Sequence, residues 1–443
     1  QDFSALYGEK NVGLLTGDNS INSDAPILIM TTEILRNMLY AGSHTLSNLG
    51  YVIMDEVHYL ADRFRGAVWE ETLIHLPESV QVVSLSATVS NAEEFGEWLQ
   101  SIRGNTKVIV TEKRPVPLFQ YVYIGNSFLE LFSEDGKINP EVLREERANF
   151  RTYRGSHFNK KFSGGVISKS DLIEKLERQK FLPLIYFIFS RNGCDLAVKQ
   201  CLKANLRLTT KNERDEIVGK LNKVAEKIDP KDLAILEFRE WSEALSRGFA
   251  AHHAGLLPIF KETIEELFQS NLLKVVFATE TLALGINMPA KTVLLDRLSK
   301  WNGESHVNIT PGEYTQLTGR AGRRGIDIEG NAVIVWSEQI DSAFAAGLAS
   351  TRTYPLRSSF APSYNMSANL IARFGTERAR KSLAASFAQF QADRSVSGLI
   401  RQIEKNQQAM ESMRGESSCH LGDFSEYMSH RFAIKDLENS TPR

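Results

Sequence analysis

The sequence predicts an α/β protein with two parallel-sheet domains, and three observations support this fold class. Short, continuous apolar runs recur in residues 1–105, at 26–30, 51–54 and 80–86, which is the pattern of strands covered on both faces. Segments with helical spacing lie between these runs, and strand–helix alternation is typical of a parallel sheet. The same alternation returns in residues 181–350.

In the first domain, residues 31–42 show how a helix follows a strand. Apolar residues recur there every three or four positions, which is helical spacing. Thr31 or Thr32 is suited to cap the amino end of this helix, and Gly42 is a stop signal.

The second domain repeats this design with a new set of apolar runs. Strands are predicted for four of them, namely 184–190, 274–279, 292–296 and 331–336. A helix is predicted at 262–270, between the first two of these strands.

Two further segments differ from both domains. We expect residues 106–180 to be a linker with an inserted segment, because "RPVPL" at 114–118 interrupts regular structure. Residues 149–165 mix basic and aromatic side chains, and a solvated linker is favoured there over a nucleic-acid-binding loop. After residue 355 the chain turns helical and rich in Ala, Ser and Gln, and 399–413 fits one helix.

Composition places the chain among ordinary soluble globular proteins, with 42% hydrophobic and 24% charged residues. The formal net charge is only -2, so any nucleic-acid site must be a local basic surface. Cys194, Cys201 and Cys419 form no CxxC pair, which fits a reducing cytoplasm. No apolar run reaches the ~18 residues of a membrane span. We therefore expect a cytoplasmic protein with no membrane partner.

The stretch "GYVIMDEVHYL" ends an apolar run abruptly in Asp55 and Glu56, followed by His58. Side chains at the carboxyl ends of parallel strands face the ligand crevice of such sheets. A carboxylate there can hold Mg²⁺, and a neighbouring carboxylate can orient a water or take its proton. Taken alone, a pair of solvent-facing acids at a strand end is the more common explanation.

Two further motifs favour a catalytic interpretation. Ser86 and Thr88 in "LSATVSN" follow the next strand, and "YTQLTGRAGRRGID" contains Gln316, Arg320 and Arg323. The two arginines are three residues apart, so on a helix they would point the same way, and an arginine fork suits the oxygens of a transferring phosphoryl group. A turn and a basic helix face are the plainer explanations, but the order of the motifs across two α/β halves is hard to obtain by chance.

The motif "HHAG" at 252–255 raises the possibility of a metal site, because histidine is the commonest metal ligand. No spaced His, Cys or carboxylate partner accompanies it in the sequence. A structural role is therefore favoured.

The motifs "TGD", "TTE", "DEVH", "SAT", "FSRNG", "HHAGLLP", "FATETLALGINMPA" and "QLTGRAGRRG" together resemble the superkiller-like group of superfamily-two DExH-box helicases. Within that group, "SFAQFQADRSVSGL" at 386–399 and "CHLGDFSEY" at 419–427 look most like the actinobacterial HelY type. The resemblance covers nearly the whole chain. It implies a truncated RecA-like ATP-binding domain at 1–105, a second RecA-like helicase domain at 181–350, and the start of a winged helix and a helical insertion at 351–443.

The resemblance also implies a site for ATP and Mg²⁺. Asp55 would hold Mg²⁺, and Glu56 would position the attacking water. Arg320 and Arg323 would be arginine fingers that reach the γ-phosphate across the cleft between the domains, and such fingers are worth about 10³–10⁵ in rate in other phosphoryl-transfer systems. The other implied residues are His58 and Gln316 as a link between the domains, Ser86 and Thr88 as coupling residues, and Gly285 and Asn287 at the nucleotide or the strand.

Contacts with single-stranded nucleic acid are implied for both domains. The residues concerned are Thr16, Gly17, Asp18, Thr31 and Thr32 in the first domain and Ser190, Arg191, Thr279 and Thr281 in the second. Hydroxyls and backbone N–H groups at the start of a helix bind phosphate well. Helix capping is the plainer explanation for Thr31 and Ser190, and both roles can hold together.

These implications lead to one expected function. The protein would be an ATP-dependent helicase that moves 3′ to 5′ on single-stranded RNA, acts as a monomer, prefers RNA to DNA and serves the RNA-degradation machinery. "TLALGINMPA" and "SFAQFQ" favour this RNA branch. Two alternatives stay open, a DNA repair helicase of the related Hel-type branch and a nucleic-acid-binding scaffold without catalysis.

The phosphate-binding Walker A loop of the family, GxxxxGK[ST], has no match in the 443 residues. The resemblance places that loop upstream of the first residues, so we expect the sequence to be a piece of a longer protein. We also expect the 443-residue chain alone to bind ATP weakly and not to hydrolyse it. Measurable ATP hydrolysis by the isolated chain would contradict this expectation.

Overall fold

The computed structural model describes residues 2–17, 19–62, 65–86, 89–111, 113–156, 168–283, 288–337, 340–351, 355–362, 364–416, 418–419 and 422–440. The chain divides into two compact units. Residues 1–109 and 355–443 form the first unit, and residues 110–354 form the second. Among the described helices, none combines the length and the apolarity that crossing a bilayer requires.

The described strands are mostly short. In chain order they are β1 (Val12–Leu15), β2 (Ser20–Ile21), β3 (Ile27–Met30), β4 (Tyr51–Met54), β5 (Gln81–Ser84), β6 (Leu118–Ile124), β7 (Ser127–Glu130), β8 (Leu184–Phe187), β9 (Phe249–His252), β10 (Val275–Ala278), β11 (Thr292–Leu295), β12 (Ser299–Trp301), β13 (His306–Asn308), β14 (Gly330–Val335), β15 (Ser418–Cys419) and β16 (Gly422–Asp423).

The described α-helices alternate with these strands and dominate the end of the chain. They are α1 (Asp2–Tyr7), α2 (Thr32–Ala41), α3 (Gly66–His75), α4 (Ala92–Arg103), α5 (Pro140–Ser156), α6 (Lys169–Arg178), α7 (Arg191–Lys203), α8 (Lys211–Ala225), α9 (Pro230–Ile235), α10 (Phe238–Ser246), α11 (Pro258–Gln269), α12 (Pro311–Thr318), α13 (Ser342–Ser350), α14 (Tyr364–Ala384), α15 (Phe387–Glu416) and α16 (Phe424–Ser440).

The second unit is built on a sheet in the order β7-β6-β14-β11-β8-β10-β9, parallel except for the β6–β7 hairpin. Successive residues of β8 contribute to two different apolar clusters. Ile185 and Phe187 lie in one cluster, and Leu184 and Tyr186 lie in the other. The prediction of strands buried on both faces is therefore confirmed in this unit.

Strand β6 lies inside the segment 106–180, which the sequence analysis assigns to a linker. It pairs in parallel with β14 along its length, and Gly330 donates its N–H to the Pro117 carbonyl oxygen at 2.8 Å just before the strand starts. The prolines therefore precede the strand and do not interrupt it, which is where proline is tolerated in a sheet. The observed second unit begins at Val110 instead of residue 181.

The first unit contains two smaller parallel pairings, β1 with β3 and β4 with β5. Along β4, Val52 and Met54 are buried while Tyr51 and Ile53 are exposed. The prediction that this strand is covered on both faces is therefore wrong for the part of the chain that the structure describes. Only one face of β4 is buried there. Helix α2 agrees with its prediction, since Thr31 occupies the N-cap position and Gly42 ends the helix in the left-handed conformation.

Within the first unit, the C-terminal helix α15 packs on α4 through an aromatic cluster. The Phe387 ring lies 5.2 Å from the Trp98 ring and 5.5 Å from the Phe95 ring, centroid to centroid. Trp98 also donates its indole N–H to the Ala385 carbonyl oxygen at 2.8 Å. Aromatic pairs of this kind add about 0.5–1.5 kcal/mol each beyond the area they bury. The predicted helix at 399–413 lies within α15.

Glu70 of α3 ties the same two parts of the first unit together from a fully buried position. Its carboxylate accepts the Phe387 N–H at 2.7 Å and the Ser358 hydroxyl. Burial raises the pKa of Glu70 to about 7, although these hydrogen bonds oppose the shift.

A pH-dependent contribution to stability follows from Glu70. Its ordinary pKa is 4.5 and its folded-state pKa is about 7, so the stabilisation is complete below the lower value and is lost as the pH rises through the higher one. We expect Glu70→Gln to remove this titration, so that the free energy of unfolding falls less between about pH 5 and pH 8 than in the wild type. Denaturant unfolding at several pH values measures the slope.

The control for this experiment is Glu93→Gln, which removes an exposed acid in the first turn of α4. This variant should follow the wild-type slope. Equal slopes for Glu70→Gln and the wild type would contradict the assignment.

Candidate functional site

The first candidate catalytic residues lie where β4 and β5 end together. Met54 pairs with Ser84 in the parallel register, and Leu85 then donates its N–H to the Met54 carbonyl oxygen at 2.9 Å. Asp55 follows β4 directly, and its side chain is exposed. Ser86 follows β5 and is also exposed. The structure therefore brings these two predicted residues to one edge of the β4–β5 pair.

Glu56 turns the chain away from β4 through an unusual backbone conformation. Its φ of 55° and ψ of 43° lie in the left-handed region, which costs a residue with a Cβ roughly 1–2 kcal/mol. The Asp55 carboxylate accepts the Glu56 N–H at 2.9 Å and stabilises the turn. Backbone strain of this kind is concentrated at functional sites. Asp55 thus shapes the turn in addition to the chemical role predicted for it.

His58 is buried beside this turn. Its Nδ1 lies 3.3 Å from Glu56 Oε2, and its ring stacks on the Tyr59 ring at 5.1 Å between centroids. Burial lowers the pKa of His58, with the nearby Asp55 charge opposing the shift. The imidazole is therefore neutral at pH 7 and able to position the Glu56 carboxylate. Its predicted contact with Gln316, in the second unit, stays a prediction.

The predicted strand-contacting residues of the first unit also share an edge. Leu15 pairs with Met30, and Thr31 then donates its N–H to the Leu15 carbonyl oxygen at 3.3 Å. Thr16 follows β1, and its hydroxyl accepts the Asn19 N–H at 3.0 Å in a tight turn. Two more predicted residues lie in the same places, Gly17 in this turn and Thr32 at the first position of α2.

Thr31 is exposed at the N-cap position of α2, but its side chain makes no capping hydrogen bond. Its hydroxyl is therefore not committed to holding the helix. Helix capping therefore does not explain why a residue with a hydroxyl group occupies position 31.

In the second unit, the equivalent edge carries Ser190, Arg191, Thr279 and Thr281. The register places the ends of β8 and β10 side by side, and Thr279 follows β10 directly. The Thr279 and Thr281 hydroxyls are 2.9 Å apart. Arg191 is exposed at the first position of α7, while Ser190 caps that helix by accepting the Gly193 N–H at 3.1 Å. Capping therefore explains Ser190, unlike Thr31.

The arginine motif begins at α12 but is not itself helical. The helix carries the half-buried Gln316 and ends at Thr318, so the expectation that Arg320 and Arg323 share a helix face is wrong. The backbone beyond the helix pairs with Ala290 instead. Gly322 donates its N–H to the Ala290 carbonyl oxygen at 2.7 Å, and Ala290 donates its own N–H to the Arg320 carbonyl oxygen at 2.9 Å. Gly322 has a φ of 87°, and a Cβ there would lie 2.7 Å from Val116, which excludes larger residues.

Both arginines have partners within the second unit. Arg320 donates from its guanidinium to the Ala283 carbonyl oxygen. Arg323 donates to both carboxylate oxygens of Asp327, at 2.8 and 2.9 Å, and to Asn271 Oδ1 at 3.2 Å. Asp327 is a residue that the sequence analysis missed, because an i,i+4 spacing predicts an ion pair only on a helix and this segment is not helical.

Arg114 is a second missed residue, and it holds the arginine motif in place. Its guanidinium donates to the carbonyl oxygens of Thr318 at 3.3 Å and Ala321 at 2.6 Å, on either side of Arg320. No local pattern reveals this role, because the contact spans about two hundred residues of sequence.

Each histidine of the "HHAG" motif lies within hydrogen-bond distance of a carboxylate. His252 Nε2 lies 2.9 Å from Glu265, and His253 Nε2 lies 3.0 Å from Asp195. His253 Nδ1 also accepts the Gly255 N–H at 3.2 Å. Within the described ranges, no group of His, Cys, Asp and Glu is arranged to hold a metal ion.

Some predicted site residues cannot be placed. Asp18, Thr88, Gly285 and Asn287 lie outside the described residues. For Mg²⁺, the chemistry of the donor fits at Asp55, since an exposed carboxylate oxygen at a strand end is a ligand that this ion prefers.

Comparison with known families matches both halves of the chain. Residues 4–95 match the family described as DEAD/DEAH box helicase. Residues 200–325 match the helicase conserved C-terminal domain. Asp55 and Glu56 lie in the first match and Arg320 and Arg323 in the second.

Curated relatives are similar along nearly the whole chain. "Probable helicase HelY" of Mycobacterium tuberculosis (strain ATCC 25618 / H37Rv) is 52% identical over 450 residues, covering 98% of this chain and 50% of the relative. "ATP-dependent RNA helicase mtr4" of Schizosaccharomyces pombe is 38% identical over 93% of this chain and 38% of the relative. "Superkiller complex protein 2" of Mus musculus is 36% identical over 100% of this chain and 37% of the relative. The chain thus spans half or less of the length of these relatives.

Thr31 and Ser190 occupy equivalent N-cap positions but differ in how the hydroxyl is used, which gives a direct test. Ser190→Ala removes a capping bond and should lower the free energy of unfolding by about 1 kcal/mol. Thr31→Ala removes no such bond and should change it by less than about 0.5 kcal/mol. Denaturant unfolding of the two variants measures the difference. Equal losses of unfolding free energy in the two variants would contradict the difference in capping between Thr31 and Ser190.

Proposed function

This chain belongs to the superkiller-like group of DExH-box helicases, and we propose that it forms part of an ATP-dependent helicase that moves 3′ to 5′ on single-stranded RNA. The two matched helicase domains and the relatives named above support the membership. ATP coupling, the RNA substrate and the direction of movement belong to the proposal.

One observation carries the proposal. Within the matched DEAD/DEAH box domain, the Asp55–Glu56 pair ends a parallel strand in a strained turn, with the buried His58 against Glu56. A solvated pair of surface acids needs neither a left-handed backbone nor a buried imidazole. A site that orients a carboxylate toward a reacting water benefits from both.

The residues of this turn divide the chemistry of hydrolysis between them. Asp55 would hold Mg²⁺, which when bound neutralises charge on the phosphate oxygens. Glu56 would orient the attacking water and accept its proton. The neutral His58 would fix the Glu56 carboxylate in its working position. Ser86, at the same edge, would couple hydrolysis to movement.

Arg320 and Arg323 would stabilise the negative charge that develops on the γ-phosphate. Arg323 already binds a carboxylate with two parallel hydrogen bonds, and a phosphate presents oxygens in the same geometry. Binding of the phosphate would therefore exchange one anion for another at a guanidinium that stays charged throughout.

Hydroxyl and amide groups at the two strand edges would bind the nucleic-acid backbone. Thr31 and Thr281 are exposed, and such groups contact phosphate without reading the sequence. A preference for RNA and a role in RNA degradation are supported by relatives named as RNA helicases and as a superkiller complex protein.

Replacement of Glu56 tests the enzyme directly. In the complete natural protein, we expect Glu56→Gln to lower the strand-stimulated kcat by about 10²–10⁴, because an amide cannot accept the proton. Nucleotide binding should persist. Steady-state ATP hydrolysis and equilibrium binding of a fluorescent ATP analogue measure the two quantities.

The control for that variant is Glu78→Gln, an exposed acid at the surface of the same unit, which should retain wild-type turnover. Undiminished hydrolysis by Glu56→Gln would contradict the proposal. A wild-type protein that binds strands but never hydrolyses ATP would instead identify a scaffold.

The substrate is tested by comparing single strands of RNA and DNA of equal length and sequence in the same assay. RNA should give the larger stimulation of ATP hydrolysis. The affinity for either strand should fall linearly with the logarithm of the salt concentration, because phosphate contacts release counterions. Stronger stimulation by DNA would favour a DNA repair helicase.

A further inference from the structure

Lys300 lies at the middle of β12 and joins two carboxylates from other elements. Its Nζ is 2.7 Å from Glu280 Oε2 and 2.6 Å from Glu313 Oε1. The side chain is only 20% exposed. Burial opposes its charge, but the hydrogen bonds that the ammonium donates to both carboxylates outweigh burial and raise the pKa of Lys300. Lys300 is therefore a charged group held in a fixed place.

The two carboxylates lie in different motifs, one predicted to contact the nucleic-acid strand and the other leading to the arginines predicted to contact phosphate. Glu280 lies between Thr279 and Thr281, the predicted strand-contacting hydroxyls, and begins a short 3₁₀ helix that ends at Ala283. Glu313 lies in the first turn of α12, the helix that leads to the arginine motif. We call residues 280–283 the coupling segment.

Glu313 is itself rigidly placed. Its Oε2 accepts the Thr310 N–H at 2.7 Å and the Thr310 hydroxyl at 2.9 Å, which completes the capping box of α12. Lys300 binds the other oxygen of the same carboxylate. A displacement of α12 is therefore transmitted to the Lys300 ammonium, and from there to Glu280.

A second contact connects the far end of the coupling segment to the arginine motif. The Arg320 guanidinium donates to the Ala283 carbonyl oxygen. An Arg320 side chain that turns toward a phosphate has to leave this carbonyl. The contact through Lys300 does not depend on Arg320, so the coupling segment would be released at Ala283 and still held at Glu280.

We propose that Lys300 is a positioning residue that couples phosphate binding at the arginine motif to the strand-contacting hydroxyls of Thr279 and Thr281. This inference rests on the proposed function and adds the residue that links its two halves. Lys300 acts through Glu280 and Glu313 and touches neither the nucleotide nor the strand. Without the ammonium, the two carboxylates lose their common partner and the coupling segment loses its fixed end.

The test uses the complete natural protein and the Lys300→Met variant, which removes the ammonium and keeps an unbranched apolar stem. Strand-free ATP turnover should stay within about twofold of wild type, because Met replaces no group at the nucleotide. Strand-stimulated kcat should fall about tenfold, and the RNA concentration for half-maximal stimulation should rise, because the loss of a link of about 1.4 kcal/mol is a tenfold effect. Lys300→Arg should restore at least half of the stimulation.

The matched control is Lys220→Met, which removes a lysine with a 2.9 Å ion pair to Glu266 in the same unit. This variant should behave as wild type in both measurements. Full stimulation in Lys300→Met would overturn the inference. A parallel loss of strand-free and stimulated turnover would also overturn it, since Lys300 would then be merely structural.

The failure of the proposed function looks different. In that case the wild-type protein itself shows no strand-stimulated ATP hydrolysis, whatever the state of residue 300. If strands stimulate ATP hydrolysis equally in the wild type and in Lys300→Met, the coupling role of Lys300 is rejected and the proposed function stands.

Discussion

The shared ends of parallel strands are the constraint on which the candidate site depends. Leu15 pairs with Met30, and the hydroxyl residues Thr16 and Thr31 follow at once. A slip of one residue in such a pairing would move every side chain of a strand to the opposite face. Burial of the strands in the second unit makes that slip costly, so the polar residues that follow them stay in register. The positions of the site residues are thus a consequence of packing in the core.

Two charged groups of the second unit already have partners of the kind that a ligand would offer. The Arg323 guanidinium binds the two oxygens of Asp327, as it would bind a phosphate. Lys300 sits between the carboxylates of Glu280 and Glu313. Partly buried charges need such partners, because an unpaired charge away from water is costly. A protein that exchanges one charged partner for another avoids much of that cost, which makes internal ion pairs suitable parts of the coupling proposed above.

Much of the fold could be predicted because the second unit buries its strands on both faces. The resulting apolar runs are visible in the sequence, and β8, β10, β11 and β14 lie where the runs predict them. Strand β6 could not be predicted in this way, because its run follows "RPVPL" and holds a polar Gln120. The helical arrangement predicted for Arg320 and Arg323 fails because spacing reports neither the left-handed Gly322 nor the pairing with Ala290. Lys300 and Arg114 escape sequence reasoning altogether, since their partners are remote in the chain.

We propose that the Asp55–Glu56 pair and the arginines Arg320 and Arg323 serve one hydrolytic step. A double-mutant cycle on Glu56→Gln and Arg320→Ala in the complete natural protein tests this most directly, with strand-stimulated kcat as the measurement. Residues that act as a unit are strongly non-additive, so we predict that the double variant is slower than the slower single variant by less than about threefold. If the two losses multiply in full, the residues act independently and the proposal of one common step is contradicted.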